Sequence, residues 1–188
     1  MRRRNVLTLV ECAMMIAMAT VLSMVKLFNL PQGGSVTLAS LAPLVIVSFR
    51  HGLKWGLGTA FVHSLLQMVL GFYAPPVQTV LAFAGVVLLD YVLAFTVLGA
   101  ASFFAKPVKS KIAGAAFGTV VVCALRLLCS FLSGILIWSS YAPEGTPVWL
   151  YSLTYNGSYM LWETIITAVV MVILVPVLDR IGRPGAKV

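Results

Sequence analysis

Apolar runs long enough to cross a lipid bilayer recur along this chain, and no other feature of the sequence restricts its fold as severely. A spanning helix needs about 20 mainly apolar residues. Six segments are candidates: roughly 6–27, 38–49, 55–72, 77–104, 112–138 and 158–178, of which the second is short and contains Pro43. With 61% of its 188 residues hydrophobic and 10% charged, the chain has too little polar surface to coat a soluble globule. The expected fold class is therefore all-α: an integral membrane protein built as a six-transmembrane-helix bundle.

The start Met1-Arg2-Arg3-Arg4 has the outline of a secretory signal. The apolar run behind it is too long and lacks a small-residue cleavage site, so it reads as the first helix. Arg2, Arg3, Arg4, Arg50, Lys54, Lys106, Lys109, Lys111, Arg180, Arg183 and Lys187 all fall at one side of a six-span arrangement, leaving only Lys26 and Arg126 elsewhere. By the excess of basic residues on the inner face, both termini are expected in the cytoplasm. The net charge of +8 then follows from topology and calls for no nucleic-acid partner. Residues 1–188 are expected to form a single membrane domain, without repeat or linker. Its outer connections are about 28–37, 73–76 and 139–157, and the last is the longest. Long ordered loops tend to carry function. Cys12, Cys123 and Cys129 lie inside apolar segments with no His at ligand spacing, so they read as packing residues, and no metal site or cofactor is expected.

Ionisable groups inside spans are costly and usually face the bundle interior or a cavity. Glu11 lies about one turn from the cytoplasmic edge, where snorkelling or pairing with a basic N-terminal residue explains it. His63, with Gln67 one turn later, reads as an interior hydrogen-bonding pair. Asp90, followed at once by Tyr91, has two open readings: a buried partner for Arg126, or an acceptor for an amino group and an attractor of a cation. Arg126 is expected to hold Asp90 or Glu163 ionised or to bond loop carbonyls. Glu163 also suits a helix N-terminus.

The stretch 133–163, SGILIWSSYAPEGTPVWLYSLTYNGSYMLWE, holds three of the four Trp and four of the six Tyr. Ser130, Gly134 and Trp138 recur at i, i+4 and i+8 on one helical stripe. Either Gly134 leaves room for a flat ring beside the Trp138 indole, or it is a small-residue helix contact and Trp138 an anchor at the membrane interface. Beyond Trp138 the expected loop carries Tyr141, Trp149, Tyr151, Tyr155, Asn156 and Tyr159. Electron-rich rings hold a desolvated cation by about 2 kcal/mol, and an Asn offers both a donor and an acceptor to a heterocycle's edge. Several rings plus a carboxylate would select a flat, positively charged, hydrogen-bonding molecule. In the first helix, Ala13 and Ala17 form a small-xxx-small stripe that another helix could approach, inside the bundle or on a separate protein.

The runs LYSLTYNGSYMLWE (150–163), SGILIWSSYAPEG (133–145), LPQGGSVTL (30–38), SFRHGLKWG (48–56) and LLDYVLAF (88–95) resemble, in order and over nearly the whole chain, the thiamine-specific substrate-binding subunit of energy-coupling-factor vitamin transporters. The resemblance implies a six-helix bundle in the bacterial cell membrane, with a thiamine pocket near the outer face capped by the loop between helices 1 and 2. It implies no ATPase activity and no enzyme chemistry in this chain. The implied partners are a membrane-embedded coupling subunit, on which the Ala13 and Ala17 stripe docks, and two ATP-binding-cassette subunits. By the same resemblance Gly134, Trp138, Tyr151 and Asn156 fall on binding positions, and Asp90 with Tyr91 stand where the family uses an acidic residue and Tyr. Two positions depart from the pattern. Ser130 stands where a His is expected one turn before the helix 5 glycine, and Gly33-Gly34-Ser35 lacks the Trp that some members carry there.

The mechanism implied is capture of thiamine from outside, closure of the first loop, and reorientation of the loaded subunit while docked. The chain has no GxxxxGK[ST] run to hold nucleotide phosphates, so energy would come from the partner subunits. Three other readings compete: a subunit of the same type for another vitamin or a thiamine precursor, a small ion-coupled carrier acting alone, and a membrane-embedded enzyme. The scattered acids show neither a paired-acid metal motif nor a nucleophile beside a base.

Overall fold

A computed structural model describes residues 2–181. Arg183 and Lys187, counted above among the inner-face basic residues, lie outside the described residues, as do the side chains of Arg2, Arg3 and Arg4. The main helical segments are α1 (Arg2–Met24), α2 (Ala42–His51), α3 (Leu53–Gly71), α4 (Val80–Phe104), α5 (Lys111–Leu136) and α6 (Val148–Ile181). Among the described residues, four helices are long and apolar enough to cross a membrane: α1, α4, α5 and α6. At 10 residues, α2 spans only about 15 Å. Residues 42–48 of α2 are all buried, as expected of a helix that is apolar on every side. Pro43 sits in its first turn, where the missing N–H has no helical partner to lose.

The fold departs from an all-α design in one place. Between α1 and α2 the chain forms an antiparallel hairpin, β1 (Lys26–Asn29) and β2 (Ser35–Thr37), with Lys26 opposite Thr37, Phe28 opposite Val36 and Asn29 opposite Ser35. The turn closes through Leu30 N–H to Gly34 O at 2.7 Å, with Gly33 at φ +90°. The expected outer loop 139–157 is also shorter than anticipated, because α6 starts at Val148 and takes Tyr151, Tyr155 and Asn156 onto its first turns. Pro147 terminates the loop and accepts the first N–H bonds of the helix from Leu150 and Tyr151.

Small residues let the helices approach closely. A Cβ on Gly56 of α3 would come 3.0 Å from Ser48 Cα and run into the Gly99 carbonyl of α4, and one on Gly118 of α5 would meet the Ala101 carbonyl. The pairing of α5 with α6 is the most extensive in the bundle. α4 is not uniform: a π-helical stretch over Val87–Leu93 and a 3-10 turn over Val97–Ala100 interrupt it. Such insertions re-aim side chains and often occur at functional sites.

Charge is segregated along the bundle. Arg50, Lys106, Lys111 and Asp179 line one end, where Lys111 pairs with Asp179 at 2.8 Å. Glu11 of α1 pairs there with Arg50 and, at 3.0 Å, with His51. Its partners thus come from the end of α2, a neighbour that sequence distance does not reveal. Lys26 of the hairpin is not among the residues at that end and lines a separate cavity with Trp138 and Tyr141.

Candidate functional site

The hairpin, α3, α4, α5 and α6 enclose a cavity of about 280 Å³. Asp90, Tyr91, Ser130, Gly134, Trp138, Tyr151 and Asn156 all line it, together with Gln67, Tyr73, Arg126, Tyr155, Tyr159 and Glu163. Ala13 and Ala17 lie elsewhere, on an exposed face of α1, whereas nearby Ala19 is fully buried against the bundle.

The π-helical stretch of α4 carries Asp90. Its Oδ2 accepts hydrogen bonds from Ser133 Oγ at 2.7 Å and from Trp138 Nε1 at 3.0 Å, and the same indole N–H lies 3.1 Å from Ser133 Oγ. The carboxylate therefore fixes the Trp138 ring, which stacks on Tyr141 at 5.9 Å. Trp138 does not continue the α5 stripe as a helical residue, because α5 ends at Leu136; the chain breaks out there and the acid on α4 takes over its placement. Tyr91 lines the cavity with its hydroxyl already engaged. Its hydroxyl accepts from Tyr73 N–H at 2.8 Å and donates to Gly71 O at 2.9 Å, and its ring stacks on Phe72.

On the facing wall, Gly134 meets α6 so closely that a Cβ would lie 2.8 Å from Ser152 Cβ. The space left by the missing side chain is thus occupied by Ser152, not by a gap beside the indole, although Gly134 still borders the cavity. Close approach lets Ser152 Oγ donate to Phe131 O at 2.9 Å and Asn156 Nδ2 donate to Ser152 O at 3.0 Å and Ser130 O at 3.3 Å. Tyr159 OH donates to Asn156 Oδ1 at 3.1 Å. Two carbonyl acceptors on the nitrogen side and a hydroxyl donor on the oxygen side leave one orientation for this amide. Asn156 lines the cavity with its amide held in that orientation. Ser130 is buried nearby and contributes a short hydroxyl. Tyr151 stacks on Tyr155, centroids 6.0 Å apart.

Arg126 does not pair with Asp90 or Glu163 within 4.0 Å. Its guanidinium lies 4.5 Å above the Phe95 ring instead, and the expected carboxylate partner is replaced on the Asp90 side by Ser133 and Trp138. Glu163 is 3% exposed and its Oε1 accepts both the backbone N–H and the hydroxyl of Thr37 in β2. No pairing of Glu163 with the hairpin was expected from sequence, because 126 residues separate it from Thr37. His63 is fully buried and bonded to Gln67 at 3.2 Å, as the interior-pair reading expects. Ser133, Ser152 and Tyr73 were not singled out from sequence. Ser133 and Ser152 did carry a signal, being hydroxyls within otherwise apolar helical runs.

Residues 9–182 match the family described as thiamine transporter protein. The chain belongs to that family. The thiamine transporter ThiT of Bacillus subtilis is 36% identical over 184 residues, covering 91% of each chain. The thiamine transporter ThiT of Lacticaseibacillus paracasei is 31% identical over 155 residues, covering 75% of this chain and 73% of its own. A solved structure of ThiT from Listeria monocytogenes superposes with a TM-score of 0.76 at 22% identity, over 94% of this chain and 97% of that one. The two chains therefore share the overall fold over nearly their whole length. This member of the thiamine transporter family is a multi-pass bacterial membrane protein.

Proposed function

We propose that this chain is the thiamine-capturing membrane subunit of an energy-coupling-factor importer. Its single domain would cross the membrane with six helical segments, both termini in the cytoplasm and the cavity opening outward. The gathering of Arg50, Lys106 and Lys111 at the end away from the cavity supports that orientation. The observation that carries the reading is the meeting of Asp90, Trp138, Asn156 and Tyr151 around one cavity in a member of the thiamine transporter family.

Each group has a role in this reading. Trp138, held by Asp90, offers a face to the flat thiazolium, and the carboxylate offsets its charge. Asn156, whose oxygen also takes the Tyr159 hydroxyl, would accept from the amino group of the aminopyrimidine. Gly134 lets α5 and α6 close enough for Ser152 and Ser130 to hold that amide. Tyr151 and the ring of Tyr91 complete the apolar enclosure. Capture involves no bond making, and ATP hydrolysis would belong to two cassette subunits acting through a coupling subunit docked on Ala13 and Ala17.

Titration of the purified full-length chain with thiamine and with its separate pyrimidine and thiazole precursors, followed by tryptophan quenching, tests the reading. Saturable quenching by thiamine below the micromolar range, with weaker response to either precursor, is the expected result. No saturable response in that range would refute it. Transport in vesicles should require co-expressed coupling and ATPase subunits; uptake by this chain alone would instead establish a stand-alone carrier.

A further inference from the structure

Two polar groups on α3 have no role in the site as described so far. Gln67 lines the cavity, and His63, one turn earlier, is fully buried. The amide nitrogen Nε2 of Gln67 lies 3.2 Å from the ring nitrogen Nε2 of His63. On its other side the imidazole reaches α1, where His63 Nδ1 lies 3.5 Å from Thr20 Oγ1. Thr20 in turn donates its hydroxyl proton to Ile16 O at 2.8 Å. The Phe95 ring packs edge-on to the imidazole, centroids 5.6 Å apart, and carries the Arg126 guanidinium 4.5 Å above it.

These contacts decide where the protons sit. A hydroxyl has one proton to donate, and that of Thr20 is committed to Ile16, so Thr20 Oγ1 can only accept from His63 Nδ1. Full burial beside a ring that already carries a guanidinium favours a neutral imidazole over a second cation. A neutral imidazole that donates from Nδ1 accepts at Nε2. Gln67 must therefore turn its NH2 group toward His63, which is the orientation observed. The amide oxygen is left over: among the described residues no donor bonds to Gln67 Oε1.

We infer that Gln67 is a specificity-determining residue whose amide oxygen accepts the terminal hydroxyl of thiamine, and that His63 is the positioning residue that keeps this oxygen available to the ligand. The inference rests on the thiamine reading for its choice of ligand. In that reading Asn156 takes the amino group and Asp90 offsets the thiazolium charge, so the hydroxyl is the donor that remains. Tyr73, just beyond the end of α3, packs its ring against Trp138, centroids 6.2 Å apart. This end of α3 thus lies beside the indole that faces the thiazolium, and the hydroxyethyl arm leaves that same ring. An acceptor fixed in a site rejects a ligand that lacks the matching donor, because the acceptor is then left unpaired.

A cycle of two proteins and two ligands tests the hydroxyl assignment: the full-length chain in detergent and its Gln67→Leu variant, each titrated with thiamine and with the analogue that carries ethyl in place of hydroxyethyl. Gln67→Leu should bind thiamine about tenfold more weakly and the ethyl analogue with unchanged affinity. Equal losses for both ligands, or no loss for thiamine, overturn the assignment. The chain has two His, so imidazole nitrogen NMR of the isotope-labelled protein, with His51→Gln to assign the signals, reads the tautomer directly. A neutral His63 protonated at Nδ1 is expected, and a proton on Nε2 overturns the positioning role. His63→Gln puts an acceptor near the place of Nε2, whereas His63→Asn puts a donor near that of Nδ1. The first should keep thiamine affinity within about twofold and the second should lose most of the tenfold. Equal affinities overturn the positioning role, since a histidine that only fills space gives no such difference. Should neither variant fold, Thr20→Val decides: without its acceptor the proton should move to Nε2 and thiamine binding should weaken, and an unchanged tautomer and affinity overturn the role. If the unaltered protein binds no thiamine, the functional reading fails, and the tautomer still decides whether His63 orients the Gln67 amide.

Discussion

Asp90→Asn separates the charge of the site from its architecture. Both observed bonds to Asp90 fall on Oδ2, from Ser133 Oγ and Trp138 Nε1. An amide oxygen can accept both, so the variant keeps the indole in place and changes the charge without changing the shape. The cavity is lined by two carboxylates, Asp90 and Glu163, and two cations, Lys26 and Arg126. Neutralising Asp90 therefore leaves an excess of positive charge facing a thiazolium. A full charge pair at about 4 Å with an effective dielectric constant near 20 gives an upper bound of about 4 kcal/mol. Hydrogen bonds to charged groups contribute about 1.5–3 kcal/mol, and desolvating the carboxylate reduces the net gain. A loss of about 2 kcal/mol, roughly 30-fold in Kd, is expected for thiamine by calorimetry or tryptophan quenching. The neutral aminopyrimidine fragment should lose no more than about threefold, since a charge term acts mainly on the cationic ring. Thiamine affinity within about twofold of the unaltered protein, at unchanged thermal stability, would sink the electrostatic role and leave Asp90 as a holder of Trp138 alone.

Trp138→Ala and Asn156→Ala should each weaken thiamine binding at least about tenfold, or 1.4 kcal/mol, in titrations of folded protein; wild-type affinity in both would remove these residues from the site. Ala13→Trp or Ala17→Trp, on the exposed face of α1, should abolish energised uptake while leaving thiamine binding intact. Loss of binding would instead place the stripe inside the bundle's own packing. Gly56→Ala forces α3 away from Ser48 and the Gly99 carbonyl. It should cost about 1–3 kcal/mol, read as a lowered Tm in a thermal-shift assay, and an unchanged Tm would mean that the helix crossing relaxes freely.

The helices were legible because membrane burial writes itself in runs of apolar residues, and α1, α4, α5 and α6 carry the longest. The boundaries that moved did so for identifiable local reasons. Residues 148–157 looked like a loop because Tyr, Asn and Ser interrupt the hydropathy, yet they are helical, with their polar groups turned toward Ser130, Phe131 and the hairpin. The hairpin escaped a reading by hydropathy because LPQGGS is turn-like and its strands are only four and three residues long. The cavity-lining residues Asp90, Tyr91, Ser130, Gly134, Trp138, Tyr151 and Asn156 stand out in the sequence, but their partners do not. Asp90 and Ser133 are 43 residues apart, and Thr37 and Glu163 are 126 apart. A single sequence records which polar groups are out of place in hydrocarbon. It does not record which of them satisfy one another, and Arg126 illustrates the difference: its charge suggests a carboxylate, whereas packing sets it over the Phe95 ring.

Two kinds of contact hold the walls of the cavity. On the α5 and α6 side the closest approaches depend on missing side chains: Gly134 against Ser152, with Asn156 bonded to the carbonyls of Ser130 and Ser152. Steric contacts of this kind offer one arrangement, since packed interiors resist continuous deformation. The hairpin wall also meets α6 closely at its turn, where Gly34 lies against the Tyr159 ring, and is tied by hydrogen bonds to Tyr155, Tyr73 and Glu163. Hydrogen bonds to backbone groups can be exchanged for water at small net cost, whereas parting α5 from α6 would open voids with nothing to fill them. Because Tyr155 and Asn156 are adjacent on α6, the residue bonded to the hairpin turn and the one bonded to α5 move as a unit, so a shift of this helical turn alters both walls of the cavity together.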